Sequence, residues 1–535
     1  MSSAVLRVGD NSCGDGKSER EALRFVRLLQ ALFLLTALFQ LDAPFIAAHN
    51  ERQNQTYDMA RHVFHEGWRA VLTPKVSFSL PGYEWRPFTI AQLEVPFHGL
   101  LGWPLARVAG HERMVVRLVS IAFALVSIQL LYLILRCWLK PAAATVGTAV
   151  WTTAPLVLHF GQVPMPDILC TTGILAAFFF ALRGKLWASS GCFLFAVLAK
   201  TSVLAFGLPI LVALLAARKC QCARDCFRCS ILWGLAPLLG LSAWIALGLL
   251  APPTPWTVLT IITERGDFGA LARPSFYIFV LGCLLPFGMG ILGALGFASA
   301  MLKKTPGMNP WIKWALIVAN VFYLVSVVRK IPEPQYTLPL LAWAVVAASF
   351  GFQSLIDRLG GGILWRAALG AALGLHVLVV VIFACDVKAS RVPNFTEIES
   401  VAGMLPVDAR VVVVYRYYGA SPAVWLNRNV FAIDNLPELE AELPKLQALG
   451  FNHLVILDLE SRHHDISRTG LVALARRLLR AAPGKSSPEE ATLTSLADSS
   501  SPVRRYCDQR FSRLLERQHI VLYSLRSSSP SVTAR

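Results

Sequence analysis

The chain has 535 residues, of which 55% are hydrophobic and only 16% are charged, and its mean hydropathy is +0.54. A soluble domain of this length would not need so apolar a composition, which excludes the soluble globular class and predicts a polytopic α-helical membrane protein. The net charge of +17 does not indicate nucleic-acid binding, because no Lys/Arg block alternates with aromatic residues. Basic loops beside membrane spans account for it more simply.

Apolar segments of membrane-spanning length dominate residues 25–385. Residues 1–24, rich in Ser, Gly and charge, are interpreted as a cytoplasmic tail. The first apolar run, residues 25–41, lacks a small-residue cleavage site, which indicates an anchor and not a cleaved signal. With the ten segments that follow it, about eleven transmembrane helices are predicted. The later segments are 115–135, 142–158, 168–182, 186–199, 201–217, 230–250, 276–301, 311–328, 336–356 and 363–385.

A polar loop, residues 46–113, separates the first two predicted spans and is too long to be a mere connector. This first outer loop is therefore interpreted as part of a site. Four apolar residues recur in it at helical spacing: Tyr57, Ala60, Phe64 and Trp68. With polar residues between them, they predict a short amphipathic helix along the membrane surface, which Gly67 would end.

The distribution of basic residues predicts the orientation. If the N-terminus is cytoplasmic, the inner loops carry thirteen Lys and Arg residues against two acids. The positive-inside rule then places the first outer loop and all residues after Cys385 on the outer face.

Lys200, Arg329 and Lys330 fall at the outer ends of spans, against this rule. They could snorkel to lipid headgroups. Alternatively, since misplaced charges commonly face a cavity or a ligand, they bind an anion such as a lipid phosphate.

The outer turn 159–167 contains two prolines separated by one residue, so an extended turn is predicted with Asp167 at the start of the next helix. Asp167 is either an acid favoured by the helix N-terminus or a carboxylate held above the cavity.

Several short motifs follow one another in an order typical of one family. They are Arg52-Gln53, Thr56, Ala60-Arg61, Gly67, Pro74-Lys75-Val76, Leu93-Glu94 with Pro96, Met165-Pro166-Asp167, Ala199-Lys200, and Tyr336 with Leu338-Pro339. Over residues 25–385 the chain resembles bacterial dolichyl-phosphate-mannose-protein mannosyltransferase-like proteins of the glycosyltransferase C superfamily, to which the lipid A aminoarabinose transferase is related. The resemblance implies transfer of a sugar from a polyprenyl-phosphate carrier to an extracytoplasmic acceptor.

In such enzymes an acidic residue early in the first outer loop acts at the acceptor, and basic residues hold the donor phosphate. The usual Asp-Glu pair is absent here, and Glu51 or Asp58 is an approximate substitute. Displacement of a lipid phosphate needs a carboxylate as base and cations for the leaving phosphate. The carboxylate candidates, in order of preference, are Glu51, Glu94 and Asp167. The substrate-binding candidates are Arg52, Lys200, Arg329, Lys330 and Tyr336.

No metal ligand is assigned. A divalent metal held by Glu94 and nearby His residues is an alternative, although no HExxH spacing supports it. The cysteines of the motif CQCARDCFRC at residues 220–229 could also bind a metal, but their spacing is not that of a zinc ribbon.

Residues 386–535 have the composition of a soluble, extracytoplasmic domain. Strands are predicted at 411–415, 430–433, 453–457 and 520–523, and helices at 437–449 and 469–481. This alternation predicts a small α/β domain, for which acceptor binding or packing on the membrane domain is proposed. Two other classes stay open for the whole chain. A transporter would show related halves and broken spans, and a noncatalytic scaffold would leave the charges of the first outer loop unexplained.

Overall fold

The structure, a computed structural model, describes most of the chain. The described residues are 16–38, 41, 50–79, 89–90, 94–220, 222–250, 269–301, 308–328, 334–358, 370–371, 374, 395–415, 421–457, 499, 501–517 and 520–525. They divide into two compact units. The helical unit comprises Met1–Ala43, Gly67–Leu72 and Gln92–Lys388, and the sheet unit comprises Pro44–Glu66, Thr73–Ala91 and Ala389–Arg535. The first outer loop therefore contributes residues to both.

The helical unit contains thirteen described α-helices, numbered here in chain order, and the number α2 is kept for a helix of the sheet unit. They are α1 Gly16–Leu38, α3 Phe97–Ala109, α4 Glu112–Arg136, α5 Pro141–Thr153, α6 Pro155–Phe160, α7 Pro166–Leu182, α8 Leu186–Ala199, α9 Gly207–Ala217, α10 Ala223–Leu250, α11 Pro274–Leu284, α12 Gly290–Met301, α13 Pro310–Tyr323 and α14 Leu338–Arg358. Helices α5, α6 and α7 each begin at a proline, whose missing N–H costs nothing in the first turn.

Among the described residues, four helical segments are long and apolar enough to cross a membrane: Glu112–Arg136, Ala223–Leu250, Pro310–Val328 and Pro334–Arg358. Shorter apolar helices lie at Pro166–Leu182, Leu186–Ala199, Thr201–Ala217 and Pro274–Leu284.

Two of the predicted spans are interrupted. The span predicted at 142–158 is divided between α5 and α6, because Pro155 starts a new helix. The span predicted at 276–301 is divided by a π-helical turn at Leu285–Met289, a known form of interruption in helices. Most of the span predicted at 363–385 lies outside the described residues. The total of about eleven helices stays a prediction.

The helical unit is built around a large apolar core in which α7 packs between α4 and α8. Helices α7 and α8 form an antiparallel hairpin that closes very tightly. A Cβ added at Gly173 of α7 would lie 2.9 Å from the Cβ of Ala196 in α8. This close approach of the two helices sets the start of α7 beside the end of α8, at the same end of the hairpin.

The sheet unit contains the remaining helices and all the strands. Its helices are α2 Asn50–Glu66, α15 Phe395–Met404, α16 Ser421–Leu426, α17 Leu436–Ala448 and α18 Pro502–Arg510. Its strands are β1 Lys75–Val76, β2 Phe78–Ser79, β3 Thr89–Ile90, β4 Arg410–Tyr415, β5 Asn429–Ile433, β6 His453–Leu457, β7 Ser512–Arg517 and β8 Ile520–Ser524. The helix predicted at 469–481 and the whole of 458–498 lie outside the described residues.

A six-stranded sheet in the order β2-β5-β4-β6-β8-β7 forms the centre of this unit. Strands β2, β5, β4 and β6 are parallel, and β8 and β7 run antiparallel. The central strands are runs of Val, Leu and Ile that are buried on both faces, as expected of a parallel sheet covered by helices. All four strands predicted from the sequence are present in this sheet.

Strand β2, which lies at one edge of this sheet, comes from the first outer loop. Phe78 and Ser79 pair in parallel with Val430 and Phe431 of β5. Two residues give no recognisable sequence pattern, so this strand was not predicted.

Helix α2, also from the first outer loop, ends before Gly67, whose φ of 85° only glycine adopts readily. Gly67 therefore ends the helix as predicted. Residues 53–60 are all buried, however, so the helix has no simple division into an apolar and a polar face.

Candidate functional site

Two charged residues meet at the open end of the α7–α8 hairpin, opposite the turn at residues 183–185. Asp167 is the second residue of α7, and Lys200 follows the last residue of α8. The Lys200 Nζ donates to Asp167 Oδ1 at 2.5 Å, and the two side chains are only 7% and 1% exposed. Burying two charges has a large desolvation free energy, so a buried ion pair contributes little to stability on balance. Buried charged groups in such surroundings are common at functional sites, which makes this pair a candidate.

Tyr336 lies against the same amine. The Lys200 Nζ is 3.7 Å from the centre of the Tyr336 ring, within the range of a cation–π interaction. The ring is carried by a short 3₁₀ helix, Pro334–Thr337, just before α14. Three residues singled out by the sequence analysis, Asp167, Lys200 and Tyr336, are therefore brought together.

Several buried polar atoms near the start of α7 are unsatisfied. Asp167 Oδ2 and both side-chain heteroatoms of Gln162 have no hydrogen-bond partner among the residues that the structure describes. Buried polar atoms are normally satisfied, so such atoms indicate water or a ligand. Gln162, which is 2% exposed, was missed by the sequence analysis because an uncharged amide between apolar residues attracts no attention. Its only signal was its place in the turn before Asp167.

The exit of the first outer loop is tied to this region. The backbone N–H of Val95 donates to the carbonyl of Leu198 at 3.0 Å, which fixes the segment of Glu94 beside the last turn of α8. Glu94 itself is buried. Of the three carboxylate candidates, Glu94 and Asp167 therefore lie on segments adjacent to Lys200.

The other predicted site residues lie elsewhere or outside the described residues. Glu51 and Arg52 belong to α2 in the sheet unit. Arg52 donates to Gln55 Oε1 at 2.6 Å, while the side chain of Glu51 lies outside the described part of the structure. Arg329 and Lys330 also lie outside it.

Asp58, the alternative substitute for the family's first acid, is fully buried in the sheet unit. Its carboxylate accepts hydrogen bonds from the Ser77 N–H at 2.5 Å, the Ser77 hydroxyl at 3.1 Å and Arg61 at 2.9 Å. These three donors occupy the carboxylate, so Asp58 holds α2 against the strands and has few free positions for an acceptor hydroxyl.

Within the described part of the chain, no group of three or more His, Cys, Asp and Glu side chains could hold a metal ion. This includes the described cysteines of the 220–229 motif, which are all free thiols.

Comparison with known proteins gives a match to one family over part of the chain and shows a common fold. Residues 94–251 match the family profile described as dolichyl-phosphate-mannose-protein mannosyltransferase. A comparison with curated protein sequences gives no match. The profile matches less than a third of the chain, but it spans both Asp167 and Lys200.

Solved structures show the same fold at low sequence identity. ArnT from Cupriavidus metallidurans has a TM-score of 0.58 when bound to undecaprenyl phosphate and 0.59 in the apo state, with 14% identity over 94% of this chain and 98% of ArnT. The oligosaccharyltransferase of Archaeoglobus fulgidus has a TM-score of 0.53, with 10% identity over 82% of this chain and 68% of that protein.

The mycobacterial arabinofuranosyltransferase AftD has a TM-score of 0.50 at 14% identity, and the match covers 81% of this chain but only 35% of AftD. Together with the family profile, these likenesses confirm the resemblance to mannosyltransferase-like proteins of the glycosyltransferase C superfamily. The chain has the fold of these membrane glycosyltransferases.

Proposed function

We propose that this chain is an integral membrane glycosyltransferase that moves a sugar from a polyprenyl-phosphate carrier to an acceptor on the outer membrane face. The observation that carries the proposal is the buried cluster of Asp167, Lys200 and Tyr336. It is supported by the family profile, which spans the first two of these residues, and by the likeness to ArnT, which has been crystallised with undecaprenyl phosphate.

In this proposal Lys200 binds the phosphate of the lipid donor. An ammonium group has three N–H donors, and one of them is used by Asp167 Oδ1. The bond to Asp167 and the ring of Tyr336 hold the amine in place, so a further N–H can be aimed at a phosphate oxygen. Arg329, Lys330 and Arg52 are proposed as additional cations, on the sequence argument alone.

The reaction needs a base for the acceptor. The acceptor oxygen attacks the anomeric carbon, the base takes the hydroxyl proton, and the carrier phosphate leaves with the bonding electrons, which inverts the anomeric configuration. Cations near the leaving phosphate stabilise the charge that develops on it. Glu51 remains the first candidate for the base, ahead of Glu94 and Asp167. The bond from Lys200 to Asp167 suits Asp167 to positioning the amine.

The orientation belongs to the same proposal. The positive-inside argument places the N-terminus in the cytoplasm and residues after Cys385 outside, and a bacterial inner or plasma membrane is the proposed location.

The test is undecaprenyl phosphate binding by the purified full-length protein. Lys200→Gln removes the charge, and Lys185→Gln is the matched control, since Lys185 is an exposed lysine at the opposite end of the same helix. A charge-assisted hydrogen bond contributes about 1.5–3 kcal/mol, so Lys200→Gln should weaken binding by roughly tenfold or more. Equal affinities of wild-type and Lys200→Gln protein would reject the proposed donor site, provided that Lys200→Gln still unfolds in a cooperative thermal transition above the assay temperature.

A further inference from the structure

Four cysteines lie close together where α9 connects to α10, apart from the residues proposed to bind the donor. Helix α9 ends at Ala217, and α10 begins at Ala223. The four residues, all of them free thiols, are Cys220, Cys222, Cys226 and Cys229. No three metal-ligating side chains of the described residues are placed to hold an ion. The chemistry to consider is therefore that of the thiols themselves.

The end of α9 fixes the position of Cys220. Lys219 has a φ of 52°, in the left-handed region. Its N–H donates to the carbonyl of Ala216 at 3.3 Å, and the N–H of Cys220 donates to the carbonyl of Leu215 at 3.3 Å. These two bonds are those of a Schellman motif, which ends a helix in a defined geometry. Cys220 is therefore held in place, half-buried against the core of the helical unit.

This position brings Cys220 to a cysteine of the next helix. The thiols of Cys220 and Cys229 lie within hydrogen-bonding distance of each other. Cys229 is in the second turn of α10 and is only 5% exposed. A disulfide requires two Cβ atoms about 3.5–4.5 Å apart. Two thiols that are already in contact can reach this spacing by rotating their side chains.

Two opposing effects act on the reactivity of Cys220. Burial, the neighbouring Cys229 and Asp225 raise the pKa of its thiol, whereas the Arg218 guanidinium acts to lower it, and burial prevails. Since the thiolate is the form that attacks disulfides, only a small fraction of Cys220 can react at neutral pH. The exchange should therefore be slow near pH 7 and faster at higher pH.

We propose that Cys220 and Cys229 are a redox-active pair, which a small-molecule disulfide such as oxidised glutathione converts into a disulfide bond. The Cys220 thiolate attacks the small disulfide, forms a mixed disulfide and releases one thiol. Cys229 then attacks the sulfur of Cys220 and releases the second thiol. The protein loses two electrons and two protons, and the small disulfide is reduced to two thiols. The product joins the end of α9 covalently to α10.

The compartment determines what such a bond would do. The orientation proposed above places this connection in the cytoplasm, where thiols are kept reduced and disulfides are usually transient or redox-sensing. The bond is then a reversible modification and not a structural cross-link. This inference goes beyond the proposed function, because it does not depend on which reaction the chain catalyses.

The test is peptide mass spectrometry on the purified full-length protein after incubation with reduced or oxidised glutathione. The remaining thiols are blocked with N-ethylmaleimide before digestion with trypsin. Cleavage after Arg224 and Arg228 places Cys220 and Cys229 in separate peptides, which only a disulfide can join. The joined peptide should be at least tenfold more abundant with oxidised than with reduced glutathione, and dithiothreitol should reverse the joining.

Cys222→Ser is the matched control. Cys222 is exposed in the same connection, and it shares a tryptic peptide with Cys220. A serine there can still accept the hydrogen bond that the Asp225 N–H donates to the Cys222 sulfur at 3.4 Å. Cys222→Ser should leave the yield of joined peptide within twofold, whereas Cys220→Ser should abolish it. The exposed position of Cys222 makes the control independent of any effect on folding.

The rate of joining is a second measurement. If Cys220 is the attacking group, the initial rate should rise about tenfold from pH 7 to pH 8, because the thiolate fraction does so below the thiol pKa. The inference is overturned if the wild type forms no joined peptide in oxidised glutathione or if Cys222→Ser loses it. It is also overturned if the joined peptide persists in Cys220→Ser or if the rate does not change with pH.

Discussion

The buried pair of Asp167 and Lys200 permits an experiment in which stability and function respond in opposite ways. Lys200→Met leaves the Asp167 carboxylate in a site where only 1% of that side chain is exposed, and Asp167→Leu leaves the ammonium where 7% is exposed. Removing one partner of a buried pair typically costs about 3–5 kcal/mol, because the remaining charge is uncompensated. Lys200→Met also loses the contact with Tyr336, about 0.5–2 kcal/mol.

The double variant Asp167→Leu, Lys200→Met removes both charges and replaces them with apolar side chains of similar volume. Such replacements are often neutral or even stabilising. We therefore expect the double variant to be more stable than either single variant, with a coupling energy of about 6–10 kcal/mol if the double replacement is near neutral. Undecaprenyl phosphate binding, in contrast, should stay as weak as in Lys200→Met, because the cation is still missing.

Thermal unfolding of the detergent-purified chain measures the stability of each variant. Equilibrium binding of undecaprenyl phosphate measures its affinity for the lipid. Lys185→Met serves as the control for the loss of one lysine from the same hairpin. If the destabilisation of the double variant equals the sum of the single effects, the two residues are not coupled, and the assignment of a buried pair is refuted. If the double variant binds the lipid normally, the role of Lys200 is refuted instead.

Three further predictions concern the base, the orientation and the pH response. Glu51→Gln should lower turnover by about a hundred- to ten-thousandfold and leave donor affinity unchanged. If Glu51→Gln keeps normal turnover while Glu94→Gln is inactive, the general base is Glu94 and not Glu51. A phosphatase fused after Arg535 should be active only on the outer face, and cytoplasmic activity would reverse the orientation. The hydrogen bond from Arg504 lowers the pKa of Glu516, although burial opposes it. The ion pair therefore stabilises the fold above the unfolded pKa of Glu516, and this stabilisation is lost as the pH falls through the folded pKa. Between about pH 6 and pH 3 the melting temperature should fall less in Arg504→Gln, which lacks the ion pair, than in the wild type. Parallel curves of melting temperature against pH for the two proteins would contradict this.

The sequence predicted the buried strands well. The predicted strand 453–457 coincides with β6, and the strands predicted at 411–415 and 430–433 differ from β4 and β5 by one residue at the start. Runs of Val, Ile and Leu bounded by turn residues carry this information locally. Strand β2 could not be found in this way, because its two residues become a strand only through their pairing with β5.

The sequence also singled out Asp167 and Lys200, but as residues with separate roles. Each was noticed for a local reason, Asp167 for its place after two prolines and Lys200 for its charge at the outer end of a span. Their ion pair depends on the close approach of Gly173 to Ala196, which brings the start of α7 beside the end of α8. A glycine opposite an alanine is too common a pattern in membrane helices to predict such a contact from one sequence.

The pairing of β2 with β5 has a consequence for biosynthesis. Phe78 and its partner Val430 are separated by roughly 350 residues, and almost the whole helical unit lies between them. On a ribosome that adds about 5–20 residues per second, strand β2 must wait on the order of half a minute for its partner to emerge. Until then its edge is open to other strands or to chaperones. A nascent chain stalled before residue 429 would therefore carry a complete hairpin of α7 and α8 but an unfinished sheet, and its first outer loop should remain sensitive to protease.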